Sequence, residues 1–167
     1  VPGWVESGYI SVNGKKTVLT HENASTYFEA EIAPQNAQVE MRLDMPVRYT
    51  VAHPLVEETV NQVAVERGPL VYCIESPDAQ VESIDDLYLL SDAAYTTVPY
   101  EIKDRKVIAL ETQAAVLDRE ENDRGALYQT LKVNGFHTVP LRLIPYFAWD
   151  NRGYGEMRIW TPILYRF

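Results

Sequence analysis

The stretch Ile144-Pro-Tyr-Phe-Ala-Trp-Asp-Asn-Arg-Gly-Tyr-Gly-Glu-Met-Arg-Ile-Trp160 decides the fold when it is set beside Val65-Glu-Arg-Gly-Pro-Leu-Val-Tyr-Cys-Ile-Glu75. The first stretch contains two apolar strand patterns, separated by a compact turn rich in aromatic, amide and guanidinium groups. In the second, an Arg-Gly-Pro bend leads into residues 70–74, which are continuously apolar and rich in strand formers. Such a run is typical of a central strand buried on both faces. Both stretches therefore predict sheet structure.

Alternation with a period of two continues through much of the chain. The apolar residues Val39, Met41 and Leu43 alternate with charged residues, and Pro46 favours an edge or a bulge because it cannot donate a ladder hydrogen bond. Asn13-Gly14 predicts a two-residue hairpin turn, and Asn134-Gly135 predicts a weaker copy of it. Residues 113–117 favour a strand over a helical turn, whereas residues 83–90 are expected to hold a short helical turn.

The composition changes between Ser76 and Asp92, where a proline and five acidic residues cluster. We interpret this segment as the connection between two β modules, one at residues 1–92 and one at residues 93–167. Many short strands with closely spaced turn signals favour sandwiches over an α/β arrangement. The predicted fold is all-β, with two small antiparallel, jelly-roll-like β-sandwich modules in tandem.

Size and charge exclude several classes of function. The chain has 167 residues, 46% of them hydrophobic, which is enough for a sizeable core. A net charge of −9 disfavours binding to nucleic acid or to an anionic membrane surface. The single cysteine, Cys73, excludes an internal disulfide and leaves the compartment open. Because the sequence starts at Val1 without an initiator methionine, we expect it to belong to a longer protein.

Most candidate catalytic groups are more typical of structural or surface roles. Three carboxylate pairs are adjacent in sequence, but strand neighbours point to opposite faces, so adjacency does not make a catalytic dyad. These pairs are Glu57-Glu58, Asp85-Asp86 and Glu120-Glu121. The histidines, His21, His53 and His137, lack metal-ligand spacing. Cys73 lies among apolar neighbours, which indicates a buried and inert thiol. We predict no catalytic residue and no metal site.

The aromatic turn near the C-terminus carries the strongest binding signal. Trp149 stands beside Asp150, Asn151 and Arg152, and this mixture can stack against a sugar ring and hydrogen-bond to it. Docking against a neighbouring domain and internal packing explain the same residues. Glu75 and Glu156 follow or precede apolar strands and are expected in structural or interface roles. The candidate binding residues are Arg67, Trp149, Asn151, Arg152 and Glu156.

Five local motifs in the same order resemble the C-terminal β-sandwich region of glycoside hydrolase family 127, the β-L-arabinofuranosidase-like enzymes. They are Val1-Pro-Gly-Trp4, Val12-Asn-Gly14, Leu43-Asp-Met-Pro-Val-Arg48, Gln62 to Glu75 and Ile144 to Trp160. Residues 76–138 match poorly, and nothing is carried over to them.

This resemblance implies that the catalytic machinery lies outside the chain. Enzymes of the family combine an upstream (α/α)₆ barrel with two C-terminal β-sandwiches, and they use a cysteine nucleophile beside a zinc ion. The barrel motifs are absent from this sequence, so no catalytic role or cofactor transfers to it, and zinc belongs to the parent enzyme. The chain is then expected to be inactive alone, to pack on the barrel of the same polypeptide and to support assembly. An autonomous carbohydrate-binding module and a purely structural domain are the alternatives.

The resemblance also implies that the first module lacks strands that precede the Pro2-Gly3-Trp4 element in the family. Unpaired edges and apolar surface would then be exposed. Strand exchange between copies, pairing across a homodimer, or disorder within residues 1–30 would each resolve this. A periplasmic or secreted bacterial parent fits the resemblance, although the sequence does not fix the compartment.

Overall fold

A computed structural model describes residues 1–32, 36–119 and 127–166, and it confirms the all-β class. Helical structure in these ranges is limited to five single 3₁₀ turns, one of which, Ile84–Asp86, lies where a short helical turn was predicted. No helix in these ranges has the length and apolarity needed to cross a bilayer. The strands are β1 (Ser7–Val12), β2 (Lys15–Thr20), β3 (Val39–Leu43), β4 (Val47–Thr50), β5 (Gln62–Arg67), β6 (Leu70–Glu75), β7 (Leu87–Leu90), β8 (Thr96–Ile102), β9 (Arg105–Arg119), β10 (Val133–Pro145), β11 (Met157–Arg158) and β12 (Thr161–Leu164).

The chain divides into two compact units. The smaller comprises Val1–Arg48 with Arg67–Pro69, and the larger comprises Tyr49–Glu66 with Leu70–Phe167. The larger unit thus contains residues from both sides of position 92, and the modules at residues 1–92 and 93–167 stay a prediction.

The smaller unit contains a three-stranded antiparallel sheet in the order β2-β1-β3. Asn13 and Gly14 connect β1 to β2 with φ angles of 50° and 83°, as a two-residue hairpin turn requires. This predicted hairpin is confirmed. β3 is also confirmed as a strand, but Val39 and Met41 on its apolar face are exposed rather than half-buried.

In the larger unit, the long strand β9 organises the sheet. β10 pairs with β9 along one edge, while β8 and then β7 pair with it along the other. At its end β10 leaves β9 and pairs with β6 through Ile144 and Pro145. β6 is therefore held between β10 and β11.

The prediction for Asn134-Gly135 was wrong. These residues lie inside β10, where the register with β9 shifts between Val133 and Phe136 and Gly135 has a φ of 141°. A β-bulge uses the same left-handed freedom of glycine as a hairpin turn does, so the local sequence does not separate the two.

The core of the larger unit confirms that β6 is a buried central strand. Tyr72, Cys73 and Ile74 are at most 1% exposed. Cys73 packs in one cluster of buried residues with Ile102, Val107, Ala109, Ile144 and Ala148. Met157 and Ile159 pack against the same cluster, which brings the chain following the aromatic turn back onto β6.

We expect a Gly8→Ala substitution to destabilise the smaller unit. A Cβ atom on Gly8 would lie 2.3 Å from the backbone oxygen of Arg42 in β3, and backbone on both strands must shift to relieve that contact. The expected loss in free energy of unfolding is about 2 kcal/mol. Chemical denaturation, together with hydrogen exchange of the β1 and β3 amides, measures it.

Gly14→Asn is the matched control, because the space around Gly14 is open and asparagine tolerates positive φ. Equal exchange protection in Gly8→Ala and in the unsubstituted chain would contradict the close approach of β1 and β3.

Candidate functional site

The candidate site is the aromatic turn, which we define as residues 146–156, together with the charged side chains that hold it. The turn begins with the 3₁₀ turn Tyr146–Ala148 directly after β10. Asp150 then adopts a φ of 59°, which reverses the chain sharply. Asn151 fixes this geometry by donating from Nδ2 to the backbone oxygens of Ala148, at 3.1 Å, and Trp149, at 2.9 Å.

Arg152 anchors the turn to the core through two buried carboxylates. Its guanidinium donates from Nε and Nη2 to Oε2 of Glu75, with an Nε to Oε2 distance of 3.0 Å, and Nη2 also pairs with Asp78. The side chains of Glu75 and Asp78 are only 6% and 4% exposed. The other oxygen of Glu75 accepts a hydrogen bond from the backbone N–H of Asp150 at 3.0 Å. One carboxylate at the end of β6 therefore holds two points of the turn.

Tyr100 of β8 lies between this anchor and a second arginine. Arg152 donates from Nη1 to the Tyr100 hydroxyl at 3.2 Å. Arg142 of β10 lies over the Tyr100 ring, 4.5 Å from its centroid, and pairs with Glu111 of β9 at 2.7 Å. Its Nη1 is 3.7 Å from Asp78. We call Glu75, Asp78, Tyr100, Glu111, Arg142 and Arg152 the ionic network.

The electrostatics of the network favour charged arginines. Burial alone would lower the pKa of the Arg152 guanidinium, but its hydrogen bonds to Asp78 and Glu75 outweigh burial and the pKa is raised. The pKa of Arg142 is also raised, chiefly by its hydrogen bond to Glu111. Since guanidinium is charged at all ordinary pH values, both residues act here as permanent cations and not as proton donors or acceptors.

The predicted binding residues are only partly brought together. Trp149, Asn151 and Arg152 share the turn, and Glu156 ends it, with its backbone N–H donating to Ser76 Oγ at 2.9 Å. Arg67 belongs to the smaller unit, and its Nε is buried without a hydrogen-bond partner among the described residues. Trp149 is 39% exposed and stacks on Tyr146 with ring centroids 5.9 Å apart.

Sequence reasoning missed most of the network. Glu75 was noted as a candidate at the end of an apolar strand, but Asp78, Tyr100, Glu111 and Arg142 were not connected with it. Glu111 and Arg142 lie directly opposite each other in the β9–β10 register, and only that register brings them together. A cross-strand pair of opposite charge is a usable signal once the two strands are aligned.

The remaining acidic and histidine candidates do not form a site in the described ranges. Asp85 pairs with Arg158, Asp86 lies 3.8 Å from Arg119, and the Glu57-Glu58 pair lies in an exposed 3₁₀ turn. Glu120-Glu121 lies outside the described residues. Nδ1 of His137 is 2.7 Å from a carboxylate oxygen of Asp118.

The donor groups of the described residues do not fit a zinc site. No three His, Cys, Asp or Glu side chains converge as metal ligands anywhere in residues 1–32, 36–119 or 127–166. Cys73, the one cysteine in the sequence, is buried in the apolar cluster of the larger unit.

Comparisons with known proteins give a consistent result. The chain is 34% identical over 166 residues to the non-reducing end β-L-arabinofuranosidase of Bifidobacterium longum, which covers 95% of this chain and 24% of that enzyme. A solved glycoside hydrolase matches 98% of the chain with a TM-score of 0.85 and 40% identity. The solved family 127 β-L-arabinofuranosidase of Geobacillus stearothermophilus T6 matches 98% of the chain with a TM-score of 0.77 and 28% identity.

The chain spans about a quarter of the length of these relatives, 24% to 27% of each. The family model for the glycoside hydrolase family 127 C-terminal domain matches residues 47–162, which include the aromatic turn and every residue of the ionic network. Because this match covers well over half of the sequence, the chain belongs to the glycoside hydrolase family 127 C-terminal domain family.

Proposed function

We propose that this chain is the non-catalytic C-terminal region of a β-L-arabinofuranosidase-like glycoside hydrolase, and that it packs on the catalytic helical barrel of the same polypeptide and supports its assembly. The observation that carries the proposal is the ionic network, in which the Glu75 carboxylate and the Arg152 guanidinium form an ion pair inside the fold. Zinc, where the parent enzyme uses it, is bound outside this chain in this proposal.

The two groups with the most catalytic potential are held in unreactive states. Burial raises the pKa of the Cys73 thiol to about 12, with a further increase from the charge of Glu75, so the thiolate is scarce at neutral pH. Glu75 accepts hydrogen bonds on both carboxylate oxygens and is 6% exposed on its side chain, which leaves it no access to a substrate. These states support a structural role.

The exposed face of the aromatic turn has the composition of a docking surface. Tyr146, Phe147, Trp149 and Tyr154 are all large aromatic residues with exposed side chains. Aromatic residues are enriched in protein interfaces, and a rigid aromatic side chain loses little conformational entropy on binding. The backbone that presents them is fixed by Arg152 and Asn151, so the surface is formed before any partner arrives.

The same geometry weakens the alternative of sugar binding at the turn. The polar groups that would have contacted a sugar are already engaged within the protein. The Asn151 amide donates to the backbone of Trp149, and the Arg152 guanidinium donates to Glu75 and forms an ion pair with Asp78. Trp149 keeps an exposed ring for stacking, so an autonomous carbohydrate-binding module remains the second candidate. A homodimer contact and a purely structural domain are weaker candidates.

The chain alone should not hydrolyse an aryl β-L-arabinofuranoside, whereas the complete polypeptide should. The physical reason is that the Cys73 thiol and the Glu75 carboxylate are buried. Release of the aryl alcohol, followed by absorbance, measures turnover. Hydrolysis by the pure chain that disappears in Glu75→Gln or Glu156→Gln would contradict the proposal.

Trp149→Ala should weaken the association of the chain with a separately produced helical portion of its polypeptide. Truncating an anchor residue at an interface typically costs about 2 kcal/mol, which corresponds to roughly a 30-fold increase in Kd. Isothermal titration calorimetry measures Kd.

The matched control is Tyr27→Ala, since Tyr27 is 97% exposed and lies far along the chain from the turn. Unchanged affinity in Trp149→Ala would place the interface elsewhere. A parallel titration with arabino-oligosaccharides separates docking from sugar stacking at Trp149.

Arg152→Ala should destabilise the chain strongly, because it leaves Glu75 and Asp78 buried without their common cation. Breaking a buried ion pair by removing one partner costs about 3 to 5 kcal/mol in free energy of unfolding. Chemical denaturation measures the loss. Arg166→Ala is the control, because Arg166 and Asp92 are about half exposed at 3.5 Å and their pair should contribute little. Similar losses in both variants would show that Arg152 is not an internal anchor.

A further inference from the structure

A cleft separate from the face of the aromatic turn lies over the sheet of the larger unit. Its floor is a row of polar side chains that crosses three strands, because Arg142 of β10 lies opposite Glu111 of β9, and Glu111 lies opposite Thr96 of β8. Gln113 and Pro140, two residues further along β9 and β10, are paired with each other and line the same cleft. The alternation of side chains in a strand places these five residues on one face.

The loop after β6 forms the wall of this cleft. Pro77, Asp78 and Gln80 line it, and Ala79 forms a bridge with Leu141 that fixes the loop beside β10. The cleft has a volume of about 530 Å³. This volume lies within the range of small-molecule sites and is large enough for one or two sugar rings.

Several polar groups in the cleft have no hydrogen-bond partner within the described ranges of the chain. Oε1 of Glu111 accepts from Nε and Nη2 of Arg142, whereas Oε2 has no hydrogen-bond partner in the described part of the chain. The side chains of Thr96, Gln80 and Gln113 are exposed to the cleft and likewise have no hydrogen-bond partner among the residues described. They offer donors and acceptors close together on a rigid floor.

The cleft is rigid because three of its lining residues, Asp78, Glu111 and Arg142, belong to the ionic network. Arg142 is fixed between Glu111 and the Tyr100 ring, and the Asp78 side chain, 4% exposed, pairs with Arg152 behind the wall. A ligand would therefore meet charged groups whose positions are already fixed, beside exposed amide and hydroxyl side chains.

The charge balance selects the class of ligand. Two carboxylates, Asp78 and Glu111, line the cleft, and their ion pairs with Arg152 and Arg142 balance their charge, so the cleft favours a neutral ligand over a charged one. The cleft presents carboxylate, amide and hydroxyl groups close together. They suit neighbouring hydroxyl groups on a sugar, because each sugar hydroxyl donates one hydrogen bond and accepts others. We propose that this cleft binds a neutral saccharide unit. The site rests on this geometry, while the choice of saccharide rests on the proposed function.

The test is a titration of the 167-residue chain with an L-arabinofuranosyl disaccharide, followed by NMR of the backbone and side-chain amides. We expect saturable binding, with shifts in the side-chain amides of Gln80 and Gln113. Gln113→Ala and Thr96→Val should each raise Kd about fivefold to tenfold through the loss of one hydrogen bond. Both positions are exposed, so thermal unfolding should show folded variants. D-Glucuronate, which carries a carboxylate, should bind more weakly than the neutral sugar.

One control variant identifies the location. Gln38→Ala removes an exposed amide in the smaller unit and should not change Kd. Absence of saturable binding by neutral sugars overturns the proposal, as does binding that survives Gln113→Ala and Thr96→Val. Equal affinity for glucuronate overturns the charge argument. Each of these failures leaves docking through Trp149 intact, because that is measured with the helical portion and not with sugar.

Discussion

The contact of Arg152 with Glu75 and Asp78 is the interaction on which the larger unit depends. It joins the end of β6 to a turn 77 residues further along the chain, and Tyr100 links it to β8. A buried carboxylate without a cation is strongly disfavoured, and here two carboxylates share one guanidinium. These contacts link the aromatic turn to the loop after β6 and to strands β8 and β10, so each of these elements constrains the position of the others.

This dependence explains which features were visible in the sequence. The hairpin at Asn13-Gly14 and the buried strand β6 were predicted correctly because their causes are local, namely two residues with positive φ and a continuous apolar run. The aromatic turn was also found, since its composition is unusual within a short stretch. Asn134-Gly135 was misassigned because a bulge and a hairpin turn place the same demand on glycine.

The ionic network could not be predicted because its members are brought together by strand register. Glu111 and Arg142 are 31 residues apart, and Glu75 and Arg152 are 77 apart, so no motif spacing links them. A one-residue slip of β10 against β9 would turn Arg142 to the other face of the sheet. The sequence therefore showed which side chains could hydrogen-bond to a ligand. It did not show that Arg152 and Asn151 would donate to groups within the protein instead.

Asp78 connects the two surfaces that remain open to partners. One of its oxygens faces Arg152, which holds the aromatic turn, and the other lies 3.7 Å from Arg142, which forms the floor of the cleft. Any movement of the loop at residues 76–80 that separates Asp78 from either arginine leaves a charge poorly compensated in a buried site, at a cost of several kcal/mol. That cost exceeds the energy of a single ligand hydrogen bond, about 1 kcal/mol, by a wide margin. A ligand in the cleft therefore meets a loop that it cannot reshape, and the aromatic turn stays in place whether the cleft is filled or empty.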